Sequence, residues 1–337
     1  MELLSLVAVT IALVLAFEFV NGFHDSANSI ATIVATKVLT PIAAVSLAAV
    51  FNFAGIVVGQ EVAKTIGKGI IDTNLVWEYG VMLVFCAVVG AIIWDLITWW
   101  FGIPTSSSHA LVGGLIGAGV AGAGIGAIVW TGTLKTASFI VISPTVGLVT
   151  GFALVIVVMW VARKIRRTIV NKWFRKLQLA SSAFFSFTHG TNDAQKGMGV
   201  IALVLLLNAN PDAPTAEFFV PLWVMVACHA AISLGTFFGG WRIVKTMATR
   251  LTHLDPYQGF CAETGAAAML FLTAKMGIPV STTHTISGSI MGVGATRRLS
   301  AVRWGIGRRI VIAWILTIPA AATISGSLFL LLLGLGF

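Results

Sequence analysis

The chain reads as an all-α polytopic membrane protein of about 10–12 helices, in two inverted-topology repeats with discontinuous helices at the centre. Two observations carry that class: an apolar composition that a soluble core cannot absorb, and polar motifs that recur in the same order. Of 337 residues, 58% are hydrophobic and 10% charged, with a mean hydropathy of +0.97. A soluble domain normally has roughly a quarter of its residues charged. A bilayer accepts this composition, and at about 20 residues per span the length allows on the order of ten crossings. No early basic region or cleavage site marks a signal peptide, so residues 3–20 read as a retained first span.

The repeats are explicit. FVNGFHDSAN at 19–28 aligns with FTHGTNDAQK at 187–196 at an offset of 168, matching Phe19, Gly22 and Asp25 to Phe187, Gly190 and Asp193. GIPTSSSH at 102–109 aligns with GIPVSTTH at 277–284 at an offset of 175, and Lys64-Thr65 with Lys245-Thr246 at 181. Three ordered matches indicate a duplication. The first repeat takes residues 1–162, a basic linker 163–176, and the second repeat 177–337.

The linker RKIRRTIVNKWFRK holds seven Lys or Arg and no acid, and 296–309 carries Arg297, Arg298, Arg303, Arg308 and Arg309. Both are placed on the cytoplasmic side of the cell (inner) membrane. The acidic loops 72–78 (Asp72, Glu78) and 209–217 (Asp212, Glu217) are placed outside, as are both termini. Lys64 and Lys68 sit awkwardly in an outside loop. Charge bias flips between equivalent loops of the two halves, as in the inverted repeats of secondary transporters. It also explains the net charge of +9 without nucleic acid. Cys86, Cys228 and Cys261 lack paired or metal-type spacing and read as packing residues.

Helices are expected over 3–20, 41–59, 79–101, 105–121 and 137–162, then 177–188, 218–239, 259–276, 280–295 and 308–335, the last broken at Pro319. Residues 21–37 and 189–208 add short helices. Asn21 to Asn28 holds polar residues directly after an apolar run, and is expected to unwind the helix and offer carbonyls and the Asp25 carboxylate to a small cation. Gly190 to Lys196 repeats it. Pro104 with Ser106, Ser107 and Ser108, and Pro279 with Ser281, Thr282 and Thr283, read as capped helix starts inside the apolar region. Free N–H groups and hydroxyls there suit a tetrahedral oxyanion.

Acids at membrane depth mark function: Asp25, Asp193 and Glu263 are assigned to cation or proton coupling, with Asn21. Glu18 and Asp95 have no acidic counterpart in the other half. His24, His189, His109 and His284 read as supporting donors to the motifs, the last two also as proton carriers. No Walker A sequence, zinc spacing or nucleophile with a partnered base occurs, so neither an ATP-driven pump nor an enzyme is expected.

The motifs NGFHDSANSIAT and HGTNDAQKGMG, with the two P-x-[ST]-[ST]-[ST]-H runs, resemble the inorganic phosphate transporter (PiT) family over nearly the whole chain, and FNFAG at 51–55 and Gln195-Lys196 resemble its bacterial low-affinity branch. The resemblance implies a secondary transporter of inorganic phosphate, alone or complexed with Mg2+ or another divalent metal, often dimeric, with no cofactor. It implies roles in phosphate and cation handling for Asp25, Asn28, Asn192 and Asp193, and matches Glu263 to a glutamate of the animal members. Sodium-using members carry Asn where this chain has Lys196 and Glu where it has Asn52. That departure implies coupling to H+ rather than Na+, with the Lys196 ammonium offsetting phosphate charge. A sulfate permease of the same family and an anion channel are the rival readings.

Overall fold

The computed structural model describes residues 3–208 and 218–336. Among these residues no strand forms; one isolated antiparallel bridge pairs Ile71 with Ile128. The first half contributes α1 (Leu3–Ala35), α2 (Pro41–Ala54), α3 (Glu61–Gly69), α4 (Gly80–Phe101), α5 (Ser107–Ala123) and α6 (Trp130–Ala162). The second contributes α7 (Arg167–Asn208), α8 (Leu222–Phe238), α9 (Trp241–Lys245, running into a π turn Thr246–Leu251), α10 (Pro256–Lys275), α11 (Thr282–Ala295) and α12 (Trp304–Gly334). The expected loop 209–217 lies outside the described residues.

Among the described residues, four stretches are alone long and apolar enough to cross a bilayer: Ser5–Ala35, Trp77–Phe101, Trp130–Ala162 and Trp304–Gly334. Two bent pairs raise the number to six, Pro41–Val57 with Glu61–Gly69 at 80° and Leu222–Phe238 with Trp241–Leu251 at 57°. These stretches are picked out by length and apolarity alone, which pass over α7 and α10 although each has 20 residues or more. The chain spends residues on helices too short to cross and on helices whose polar residues form the molecular centre.

Three sequence expectations are corrected. Residues 21–28 and 189–196 do not unwind: α1 and α7 run through them as continuous helix. Asn21, His24, Asp25 and Asn28 are spaced i, i+3, i+4, i+7, as are His189, Asn192, Asp193 and Lys196. That spacing puts each set on one helical face, turned toward the molecular centre, while the backbone keeps its own helical bonds. No carbonyls are freed there for a cation. Pro144 and Pro319 sit inside unbroken helices, so α12 is not broken at Pro319. Finally, 60–78 and 241–250 are not simple loops, because α3 and α9 fold back onto the bundle, and the basic linker is already helix from Arg167 onward.

The helix breaks lie instead at the Pro motifs. α4 ends at Gly102 (φ 65°) and α10 is followed by Gly277 (φ 64°), left-handed positions that favour glycine. Thr246 Oγ1 donates to the Gly102 carbonyl at 2.8 Å, and Thr65 Oγ1 to the Gly277 carbonyl at 2.7 Å. The repeated Lys-Thr pair therefore ties each folded-back helix to the break in the opposite half.

Packing crosses between the halves. α5 packs on α12, α11 on α6, α1 on α8 and α7 on α2. Matched glycines allow these approaches: a Cβ on Gly22 would stand 2.0 Å from the Ile232 carbonyl oxygen, and one on Gly190 2.1 Å from that of Asn52. Two apolar cores result. One includes Phe17, Leu83, Leu111 and Ile201, the other Ile30, Phe185, Leu270 and Ile290. Cys86, Cys228 and Cys261 are buried free thiols, as packing residues should be.

Candidate functional site: a buried polar centre

Each broken helix restarts with a hydroxyl cap. Ser106 Oγ accepts the His109 N–H at 3.3 Å, and Ser281 Oγ accepts the His284 N–H at 3.2 Å. These two oxygens serve their own helices, while the following hydroxyls face the opposed motifs. Ser107 donates to Asn21 Oδ1 at 2.6 Å and lies 3.5 Å from Asp25 Oδ2. Asn28 Nδ2 donates to Thr282 at 3.2 Å and Thr283 at 2.9 Å. Its counterpart Lys196, one offset of 168 along, reaches Ser108, the counterpart of Thr283.

The carboxylates meet at these caps. Thr282 Oγ1 is 3.3 Å from Asp25 Oδ2 and 3.3 Å from Asp193 Oδ2, and Thr283 Oγ1 is 3.3 Å from Asp25 Oδ1. Lys196 Nζ lies 2.5 Å from Asp193 Oδ1 and 3.4 Å from the Val280 carbonyl. Asp25, His189 and Asp193 each present a ligand-type atom within 4.8 Å of the others. All of these side chains are buried, Lys196 fully. A buried ion pair of this kind contributes little net stability, although losing one partner would be costly.

The histidines divide into two sets. His24 Nδ1 donates to Asp25 Oδ1 at 2.8 Å, and its Nε2 is 3.1 Å from Thr98 Oγ1 and 3.4 Å from Thr105 Oγ1. His189 Nε2 lies 3.4 Å from Asp193 Oδ2, and its Nδ1 is 3.1 Å from Asn52 Oδ1. These two hold the acids. His109 and His284 lie against each other with ring centroids 4.8 Å apart, and His284 stacks on Trp314 at 4.0 Å. Their ring nitrogens make no side-chain hydrogen bond. They close the contact between α5 and α11 by ring packing.

Glu263 stands in a separate cluster. It accepts from Thr32 at 2.5 Å, from Gln178 Nε2 at 3.2 Å and from the Ser181 hydroxyl. Gln178 also accepts from Thr36 at 2.9 Å, so one carboxylate joins α1, α7 and α10. Glu18 Oε1 accepts the Gly197 N–H at 2.8 Å. Both carboxylate oxygens of buried Asp95 and both amide atoms of buried Asn192 make no hydrogen bond. Sequence reading passed over Thr98, Thr105, Gln178 and Ser181, and singled out Asn52 without placing it beside His189. Lone polar residues in apolar helices were the available signal, but nothing in the sequence told which share a pocket.

Fold and site together define a multi-pass membrane protein built around a sealed polar centre, with charged groups held at two opposed helix starts. The sequence profile of the phosphate transporter family (PHO4) matches residues 21–325. A "Probable low-affinity inorganic phosphate transporter" of Rhizobium meliloti is 55% identical over 316 residues, 94% of this chain and 93% of that protein. A protein of the same name in Bacillus subtilis is 42% identical over 333 residues, covering 98% and 99%. The solved structure titled "The sodium-dependent phosphate transporter" superposes with a TM-score of 0.89 at 26% identity, covering 97% of this chain and 99% of that one. The chain belongs to the phosphate transporter family. Its relatives are named as transporters or permeases, not enzymes.

Proposed function

We propose that this protein imports inorganic phosphate by alternating access, coupled to protons, with the anion held between the starts of α5 and α11. The observation that carries the reading is a buried excess of acid: Asp25 and Asp193 converge on Thr282 with Lys196 as the ammonium beside them. The Thr282 hydroxyl has one proton and lies 3.3 Å from a carboxylate oxygen of both Asp25 and Asp193. Two buried carboxylates set against one ammonium repel an incoming anion. A proton on either acid relieves that repulsion and offers the anion a donor, so anion binding and proton binding favour each other. The N–H groups and hydroxyls of the two helix starts, with the Asn192 amide, supply oxyanion donors.

The choice of proton over sodium rests on Lys196. Its ammonium is surrounded by the Asp193 carboxylate, the Ser108 hydroxyl and the Val280 carbonyl, an oxygen set of the kind that binds a small hard cation. A fixed ammonium fills that place. The cluster of Asp25, His189 and Asp193 supports carriage of a metal–phosphate complex as a second reading, since its ligand atoms would face the metal of the cargo. The exchanged packing of the two halves supports an inverted duplication rocking about this centre.

Uptake of labelled phosphate into proteoliposomes under imposed gradients tests the proposal. An inward proton gradient should drive accumulation, a sodium gradient at fixed pH should not, and excess sulfate should compete poorly, because sulfate at neutral pH offers no proton to an acceptor carboxylate. Accumulation driven by sodium and indifferent to pH would overturn the coupling assignment. Effective competition by sulfate would overturn the substrate.

A further inference from the structure

Away from the buried centre, a cavity of about 840 Å³ opens between the end of α6 and the starts of α7 and α10. Arg163, Arg167 and Arg297 line it, with Asn171 and Tyr257. Arg297 is already held, donating to Asp255 Oδ2 at 2.5 Å and to Gln258 Oε1 at 2.8 Å. Asp255, the one acid on the wall, is thereby neutralised. Arg163 and Arg167 remain as net positive charge; Arg163 lies over the Trp160 ring at 5.1 Å. A second cavity of about 320 Å³ shares Arg297 and adds His253, Arg298 and Arg303, extending the basic rim.

The other wall is apolar, built from Val158, Met159, Ile165 and Val170. It continues into a stripe on α6 where Phe152, Ile156, Val157, Met159 and Trp160 are each 40% or more exposed. Basic groups at a helix end, above apolar surface that runs down the helix, complement a ligand with an anionic head and hydrocarbon tails. A free inorganic anion would leave the apolar wall unused.

We propose that this cavity binds the headgroup of an anionic phospholipid, its phosphodiester between Arg163 and Arg167 and its acyl chains along α6. Basic pockets between membrane helices are recognised sites for such headgroups. The site is separate from the transport centre and stands whether or not the coupling assignment does.

Native mass spectrometry of the detergent-solubilised full chain, titrated with phosphatidylglycerol or phosphatidylcholine, tests it. The wild type should retain one phosphatidylglycerol per chain with roughly tenfold preference. Arg163→Gln with Arg167→Gln should bring that preference to parity. Arg308→Gln with Arg309→Gln removes the same charge from exposed positions outside the cavity and should keep it. Equal retention of the two lipids by the wild type would overturn the proposal, as would full retention by the Arg163/Arg167 variant or equal loss in the Arg308/Arg309 control. Complete displacement of the lipid by millimolar inorganic phosphate would assign the cavity to a free anion instead. Thermal unfolding with each lipid provides a second measurement: phosphatidylglycerol should raise the wild-type midpoint, and a change equal to that with phosphatidylcholine counts against the site.

Discussion

At the residue scale, the centre is defined by two buried acids set against one buried lysine. Asp25→Asn and Asp193→Asn each remove a titrating carboxylate but keep its size. Uptake driven by a proton gradient should fall to the level of empty liposomes in both, with membrane insertion and chromatographic behaviour unchanged. Wild-type transport in the two variants would remove these residues from the coupling. Lys196 makes a sharper case. Lys196→Asn gives the second motif the residue that the first carries at Asn28, and vacates the oxygen cage around the ammonium. On the proposed proton coupling, this variant should respond to an imposed sodium gradient and the wild type should not. Uptake by the variant that still ignores sodium would refute the idea that the ammonium stands in for a cation. Buried Asp193 would otherwise keep an unpaired charge, so a lower unfolding temperature is expected alongside.

At the element scale, the decisive features are the two restarts and the close crossings. Ser106→Ala and Ser281→Ala each remove one cap, at a cost of about 1 kcal/mol, and the double variant should unfold at a lower temperature than either single one. Close crossings are less forgiving. Gly22→Ala and Gly190→Ala would drive a methyl into the backbone of α8 and α2 respectively, at 2.0 and 2.1 Å. Both should express poorly or lose uptake, whereas Gly126→Ala, with nothing within 4 Å, should behave as wild type. Equal tolerance of all three would mean that the crossings are looser than they stand here. Much of this level was legible in sequence. Gly102-Ile103-Pro104 and Gly277-Ile278-Pro279 announced the breaks, because glycine leaves a helix easily and proline starts one. The continuity of α1 and α7 was also available, in the i, i+3, i+4, i+7 spacing of their polar residues, but was masked by the assumption that dense polarity unwinds a membrane helix.

At the scale of the whole molecule, the basic ends of α6, α7 and α11 place Arg163–Lys176 and Arg297–Arg309 together. α12 starts beside Arg303 and runs unbroken to Gly334, so its far end lies opposite that basic face. The charge pattern predicts that the basic face is cytoplasmic; on that expectation a phosphatase reporter fused after Phe337 should be active outside the cytoplasm, and a fluorescent protein fused there should stay dark. The reverse pair of signals would invert the assigned orientation. Exchange of packing partners between the halves also bears on motion: α5 rests on α12 and α11 on α6, so each restarted helix is carried by the other half. Movement of one half against the other must therefore move the two caps relative to each other, at the place where Asp25 and Asp193 meet.

Composition and repetition alone dictated a helical membrane protein, its duplicated motifs and the types of residue that do its work, because hydropathy and local backbone preference act along the chain. The company those residues keep was decided by tertiary packing. Asp193 could be paired with Lys196 from their spacing, but not with Thr282 some ninety positions away, and Glu263 sits with Thr32, Gln178 and Ser181 rather than with the other acids. Such contacts depend on which helix faces touch across the bundle. A single sequence carries no record of that choice, since many arrangements bury the same apolar area.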